Sequence, residues 1–313
     1  MNDKLTMKSE DLEEERYMHL NMRMKNNIAA GVFLLPSIIG LLAFSLIPII
    51  YSLTLSFTQW DIIGAPPKFT GIDNYRQILT TREFWDSFVH TLYFIAVYIP
   101  LILVASISVA NLLNNNYPGI RMYRVFYFIP VLTSWVAGAL IWKWLLSPQY
   151  GPINQILGFV GITGPGWLQD ENWAMPGIAL ASVWKDMGFF GLIFLGGLQS
   201  INPTYYEAAE IDGANRWEKF KNITLPLLSP TTFFIIIICI INSFQLFPQV
   251  MIMTTNAGPH GATQVMVERI YRIAFRHYKM GYSSAFSWLL FVIIFSITMI
   301  QIKLQKRWVK YDA

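Results

Sequence analysis

Charge is scarce in this chain: of 313 residues only 13% are Asp, Glu, Lys or Arg, while 54% are hydrophobic and the mean hydropathy is +0.41. A soluble domain carries about 25% charged residues, so this composition points to a membrane protein. Cysteine is nearly absent. The single thiol, Cys239, sits in the apolar run FFIIIICIIN, which rules out an intrachain disulfide and reads as an inert buried group. No glycine precedes a lysine, so the nucleotide loop G-x-x-x-x-G-K-[ST] has no place to form. If ATP drives this protein, another polypeptide binds it. The four histidines, His19, His90, His260 and His277, lack metal-ligand spacing, and no G-x-S-x-G elbow occurs. An intramembrane enzyme would need a catalytic pair inside an apolar run, and none is found.

Apolar runs are what the chain has in excess. About 20 such residues cross roughly 30 Å of hydrocarbon, and without water to satisfy the backbone a run of that length must be helical. The expected spans are 29–57, 88–113, 123–146, 174–199, 228–253 and 283–303, an all-α polytopic membrane protein with both termini on one side. The first run is too long for a signal-peptide core of about 7 to 15 residues and is expected to stay as an anchor. Lys and Arg number 14 on the side of the termini and 7 on the other, with Lys143 and Lys185 inside spans, so the termini are expected in the cytoplasm. The net charge of +4 largely restates that bias and is poor evidence for nucleic-acid binding. No connecting loop exceeds about 30 residues, which leaves no room for a separate soluble domain.

One polar island interrupts this pattern, EAAEIDGANRWEKFKNITLP, Glu207 to Pro226. Asn202 can cap a helix whose first position is Pro203, placing Tyr205, Ala208 and Ala209 on one face. Asp212-Gly213 is a stop, because glycine accepts the left-handed conformation that closes many helices. Asn215 and Glu218 then have the spacing of a reciprocal capping box, Trp217 and Phe220 share an apolar side, and Pro226 ends the second helix before the next span. The local reading is a helix-turn-helix at the cytoplasmic surface; an amphipathic connector resting on lipid is the alternative.

Glu207-Ala208-Ala209, three residues, Gly213, nine residues, Ile223, one residue and Leu225-Pro226 resemble the EAA signature of permease subunits in bacterial ATP-binding-cassette importers. Seven specified letters coincide by chance on the order of once in 10⁸ positions. The stretches LLPSIIGLLAFSLIPIIYSLTLSFTQWD, FTGIDNYRQIL, RVFYFIPVLTSWVAGALIWKWLLSPQYGPINQILG and NAGPHGATQVMVERIYRIAF resemble the type-I, carbohydrate-uptake branch of MalF-like and UgpA-like sugar permeases. The similarity runs from about residue 30 to the end. It implies a type-I permease fold of six helices with a cytoplasmic EAA loop at 200–227. It also divides the chain into a cytoplasmic tail (1–28), a first span with its outer loop (29–86), a permease core (87–303) and a cytoplasmic C-terminal tail (304–313).

The resemblance further implies that Glu207 anchors a separate ATPase subunit, that Ala208 and Ala209 pack closely against it, and that Asp212, Gly213, Leu225 and Pro226 shape the coupling loop. The chain would bind no cofactor itself, ATP and Mg being used by two copies of the ATPase. A second, homologous permease, as a heterodimer partner with a homodimer as the alternative, an extracytoplasmic sugar-binding protein and membrane lipid complete the implied partners, in the bacterial cytoplasmic membrane.

Polar residues inside spans mark the candidate cargo site, because each is costly against lipid. Asp186 can accept from sugar hydroxyls and Phe189 can stack on a pyranose; a solvated position nearer the interface is the alternative. Neighbours on a helix point about 100° apart, so Lys185 and Asp186 need not pair. Asn242 and Gln245, three apart on one face with Phe244 between, lie where the family contacts sugar, with interhelical hydrogen bonding as the alternative. Lys143, flanked by Trp142 and Trp144, is expected to snorkel. The basic segment with an expected helix over Val265–Arg276 would meet the binding protein or lipid headgroups. A glycerol-phosphate cargo would favour cations in the cavity, and Lys185 is alone near a span centre, which favours neutral sugar. An ion-coupled secondary transporter is the rival from another class; it should show repeat-related broken helices and needs no EAA loop.

Overall fold

The computed structural model describes residues 22, 25–27, 29–62, 64, 66–115 and 118–309. The acidic tail, assigned above to residues 1–28, and the last residues of the C-terminal tail lie largely outside them. Two compact units are present, Met1–Leu55 and Ser56–Ala313. In the first, the expected anchor is a single helix, α1, Lys25–Ser56, which contains a π-helical stretch at Leu42–Leu46.

The second unit opens with a two-strand pairing, β1 (Thr58–Gln59) against β2 (Lys68–Phe69), antiparallel with Thr58 opposite Phe69. Helix α2 (Asp73–Thr80) follows, and Asn74 Nδ2 ties it to the strand by donating to the Thr58 carbonyl at 2.9 Å. Helix α3 runs Arg82–Leu113 and α7 runs Glu171–Ser200, each long and apolar enough to span a bilayer. They form the most extensive helix pair of the unit. Small residues make that possible: a Cβ on Gly191 of α7 would lie 3.0 Å from the Val109 side chain of α3.

The expected span 123–146 is corrected by the structure into two helices, α4 (Ile120–Leu132) and α5 (Trp135–Leu145), bent by 99°. Pro130 lies just before the bend, and the Ser134 hydroxyl restarts the helix by accepting from Ala137 N at 3.2 Å. A short helix α6 (Pro152–Phe159) lies in the following loop, as its Gly- and Pro-rich sequence allows.

The expected span 228–253 is corrected as well. It comprises α10 (Ser229–Phe244) and α11 (Pro248–Met253), separated at Gln245–Phe247, where Pro248 supplies no amide to continue the ladder. Before it, α8 (Thr204–Ile211) and α9 (Arg216–Leu227) form the polar segment, and α9 meets α10 at 63°. Pro226 therefore lies inside the last turn of α9 rather than ending it, and the ladder widens just upstream into a π-helical turn at Phe220–Thr224. The expected helix over Val265–Arg276 is present as α12 (Met266–Tyr271), continued by a π-helical turn Arg272–Arg276, and α13 (Met280–Trp308) is the last long helix.

Packing divides this unit into two clusters. The larger gathers Phe94 and Ile102 of α3, Ile178 and Phe194 of α7, and Cys239 of α10. The smaller joins Ile78 of α2, Phe84 of α3, Phe244 of α10, Met266 of α12 and Phe286 of α13. Cys239 is fully buried, in keeping with an inert thiol.

Candidate functional site

Local chemistry shapes the polar segment, which also rests Tyr206 and Leu227 on the larger core cluster. The Asn202 side chain accepts from the Thr204 amide at 3.0 Å and from its hydroxyl at 2.9 Å, which starts α8. At the other end Gly213 takes φ +80°. The amides of Gly213 and Ala214 return to the carbonyls of Glu210 (3.1 Å) and Ala209 (2.9 Å), closing the helix in a Schellman arrangement. The capping box is complete: Asn215 Oδ1 accepts from the amides of Trp217 and Glu218 at 3.0 Å each, and Glu218 Oε2 accepts from Asn215 N at 2.7 Å. Trp217 and Phe220 stack at 5.7 Å.

Two contacts lock α8 onto α9. Lys219 Nζ meets Glu210 Oε1 at 2.5 Å, and the Tyr206 hydroxyl lies 3.0 Å from Thr224 Oγ1. The hydrogen bond and charge of Lys219 hold the Glu210 carboxyl below its usual range. With Tyr206 and Glu210 so engaged, Glu207, Ala208 and Ile211 are left on an exposed face, one turn apart. Ala209 is only half exposed. Ile211 is 87% exposed and Trp217 67%. Ile211 was missed in the sequence because it reads as an ordinary apolar helical residue; only the locking of α8 turns it outward.

Within α7 the consecutive residues Lys185 and Asp186 diverge, as helical geometry requires. Asp186 Oδ2 accepts from the Tyr98 hydroxyl of α3 at 2.8 Å, and Tyr98 stacks on Phe94 at 5.2 Å. Lys185 instead donates to the carbonyls of Pro130 (3.1 Å), Val131 (3.2 Å) and Thr133 (2.8 Å) at the α4–α5 bend. Asp186 is thus tied to α3 while remaining partly exposed. Tyr98 had no signal in the sequence, since one tyrosine in an apolar run is unremarkable until its partner is known. Phe189, one turn beyond Lys185, is 43% exposed.

Asn242, in the last turn of α10, and Gln245, its C-cap, are both exposed, and the Gln245 backbone N–H donates to the Asn242 carbonyl at 3.1 Å. Phe244 departs from its expected place among cargo contacts. It is buried and stacks on Phe88 at 6.3 Å, because its position faces the α2–α3–α13 cluster.

Basic residues at the far end of α7 from the α8–α9 segment are largely engaged. Lys143 Nζ donates to the Ile252 carbonyl at 3.1 Å rather than simply snorkelling, Arg269 is ion-paired with Glu83 of α3, and Arg272 with Glu268 at 2.6 Å. Burial pushes the Arg269 guanidinium below its ordinary range, with the nearby Arg272 adding to the effect. Here Gln59, Asp61, Asp73, Glu83, His277 and Lys279 help line a polar cleft of about 380 Å³. Between the α3 C-terminus and α9 a wider cleft of about 920 Å³ is lined by Asn111, Asn115, Arg216 and Trp217.

Long apolar helices, broken spans stitched by polar side chains, and a hairpin presenting an apolar knob describe a transporter's membrane subunit. Residues 78–310 match the family described as binding-protein-dependent transport system inner membrane component, and the chain belongs to that family. It is 38% identical over 293 residues to a probable ABC transporter permease, YesP, of Bacillus subtilis, covering 92% of this chain and 94% of that one. It is 34% identical to the trehalose/maltose permease MalF of Thermococcus litoralis (87% and 92% covered) and 31% identical to the sn-glycerol-3-phosphate permease UgpA of Pectobacterium atrosepticum (90% and 95%). A crystallised bacterial alginate ABC transporter, in complex with an alginate pentasaccharide-bound periplasmic protein, contains a chain of the same fold. Its TM-score is 0.80 at 23% identity, with 93% of this chain and 98% of that chain covered.

Proposed function

We propose that this chain is one transmembrane half of an ATP-driven importer for a sugar or oligosaccharide, with α8–α9 as the segment through which a separate ATPase moves it. The observation that carries the reading is the exposed face of Glu207, Ala208 and Ile211, set on a hairpin that is locked internally and therefore rigid enough to transmit force. Glu207 supplies the charge, Ala208 and Ala209 the close approach, and Asp212, Gly213, Leu225 and Pro226 the frame. ATP and Mg stay with two ATPase copies. Taking α1, α3, α4–α5, α7, α10–α11 and α13 as the crossings makes six, and the charge bias then favours both termini and α8–α9 in the cytoplasm. The division into tail, first span with outer loop, core at 87–303 and C-terminal tail follows that count.

Asp186, Phe189, Asn242 and Gln245 form this half's share of the cargo path, and a homologous but different permease supplies the rest. A half-path explains why Phe189, Asn242 and Gln245 are exposed. Phe244 supports the path from behind. An extracytoplasmic binding protein delivers the cargo at the opposite end.

The relatives include glycerol-phosphate permeases, so phosphate cargo is the competing reading. Against it stands Lys185, whose three N–H donors are matched by three carbonyls and are not free for a dianion. The test is to purify the chain with its partners and screen sugars and glycerol phosphate for stimulation of ATP hydrolysis. We expect stimulation by a neutral glycan presented on its binding protein; a preparation that retains no ATPase would refute the reading, and stimulation only by the phosphate ester would transfer it to that cargo.

A further inference from the structure

We infer that Lys185 is a positioning residue for transport: its ammonium caps the broken end of α4 and so holds the α4–α5 bend against α7 beside Asp186. The inference rests on the importer reading and assigns a task to a residue which that reading leaves without one.

A helix that ends at membrane depth exposes its last carbonyls where no water can reach them. In α4 those carbonyls belong to the turn at Pro130–Thr133, where Pro130 O also accepts from the Thr133 amide (3.2 Å) and hydroxyl (2.7 Å) but Val131 and Thr133 do not share such local donors, and the restart at Ser134 leaves a stretch of non-helical backbone within the expected span. Lys185 reaches this turn from α7. It is only 6% exposed, and its three donors find the carbonyls of Pro130, Val131 and Thr133. The negative end of the α4 dipole favours a cation there, and the ring of Trp135 adds a face at 5.3 Å. One turn along α7, Gly188 lies so close to α4 that an added Cβ would collide with the Tyr127 carbonyl. Lys185 and Gly188 therefore clamp α7 to α4, while Asp186, between them in sequence, turns to Tyr98 of α3.

The arrangement has a functional consequence beyond packing. A neutral residue at 185 leaves the bend free to shift relative to Asp186, so α4–α5 no longer moves as one body with α7. Loss of the cap should then slow the conformational cycle without altering which groups meet the cargo. A cargo-contacting lysine would behave in the opposite way.

Two measurements test this. In the purified chain in lipid nanodiscs, amide exchange across residues 130–138 should rise in Lys185→Met and remain near wild type in Lys185→Arg; Lys185→Gln serves if the Met variant fails to insert. In the complete transporter, maximal cargo-stimulated ATP hydrolysis should fall about tenfold or more in Lys185→Met with the half-saturating cargo concentration within about twofold, and Arg should recover most of the turnover. Unchanged exchange in the neutral variants overturns the cap. A raised half-saturating concentration with normal turnover overturns the positioning role and makes Lys185 a cargo contact. Wild-type transporter indifferent to every cargo would refute the importer reading, whereas the exchange result judges the cap without any cargo.

Discussion

Gly213 shows how little of a residue's importance need come from its contacts. Its φ is +80° and an added Cβ would touch nothing within 4 Å, so a substitution there acts only through the backbone. Gly213→Val should cost about 1 to 2 kcal/mol of local strain and tilt α8 against α9, while Gly213→Asn, which tolerates the left-handed region, should be mild. We expect the Val variant to insert normally and to lose cargo-stimulated ATP hydrolysis; full stimulation would remove Gly213 from the coupling role. Gly188 is the reverse case. Its conformation is ordinary, but Gly188→Ala drives a Cβ into the Tyr127 carbonyl, and backbone cannot swing aside as a side chain can. A loss of about 1 to 3 kcal/mol is expected, read as an earlier thermal transition in detergent, against no loss for Gly196→Ala, where nothing lies within 4 Å and alanine suits the helix better. The turn at Gly213 was legible in the sequence because its cause is local, whereas nothing near Gly188 in the chain announces Tyr127.

At the scale of elements, the α8–α9 hairpin is held by caps it carries itself and by one ion pair between its arms. Because Lys219 holds the Glu210 carboxyl below its usual value, the pair's contribution is fully present above the ordinary carboxylate range and is lost as pH falls through the lowered value. Amide exchange of residues 204–219 should therefore quicken as pH falls below the ordinary carboxylate range, after correction for intrinsic rates, and Glu210→Gln should remove that pH dependence. The pair is exposed on the Glu210 side, so raised salt should weaken it as well. The broken spans behave differently. Apolar composition alone reads residues 123–146 and 228–253 as continuous, since a bend leaves hydrophobicity unchanged. At the first, Pro130 coincides with Lys185 of α7, which meets the released carbonyls from another helix; at the second, Pro248 withholds an amide at the start of α11.

For the whole molecule, the proposed function leaves Phe189, Asn242 and Gln245, all exposed, for a second subunit to cover. Native mass spectrometry of the transporter should find one copy of this chain, one copy of a different but related permease and two ATPase subunits; two copies of this chain would instead establish a homodimer. Asp186→Asn should raise the half-saturating cargo concentration several-fold while leaving ATPase docking intact, and Tyr98→Phe should follow it in the same direction. Sequence alone determined the class, the long helices, the caps and the turn at Gly213, because those depend on hydrophobic run length and on groups a few residues apart. It also determined that Lys185 and Asp186 point different ways, through helical pitch. Tertiary structure alone decided that Lys185 is consumed by the carbonyls of α4, that Tyr98 holds Asp186, that Phe244 turns inward and that Ile211 turns outward. Each of those outcomes depends on which face of one helix meets which face of another, and that is set by packing between residues far apart in the chain.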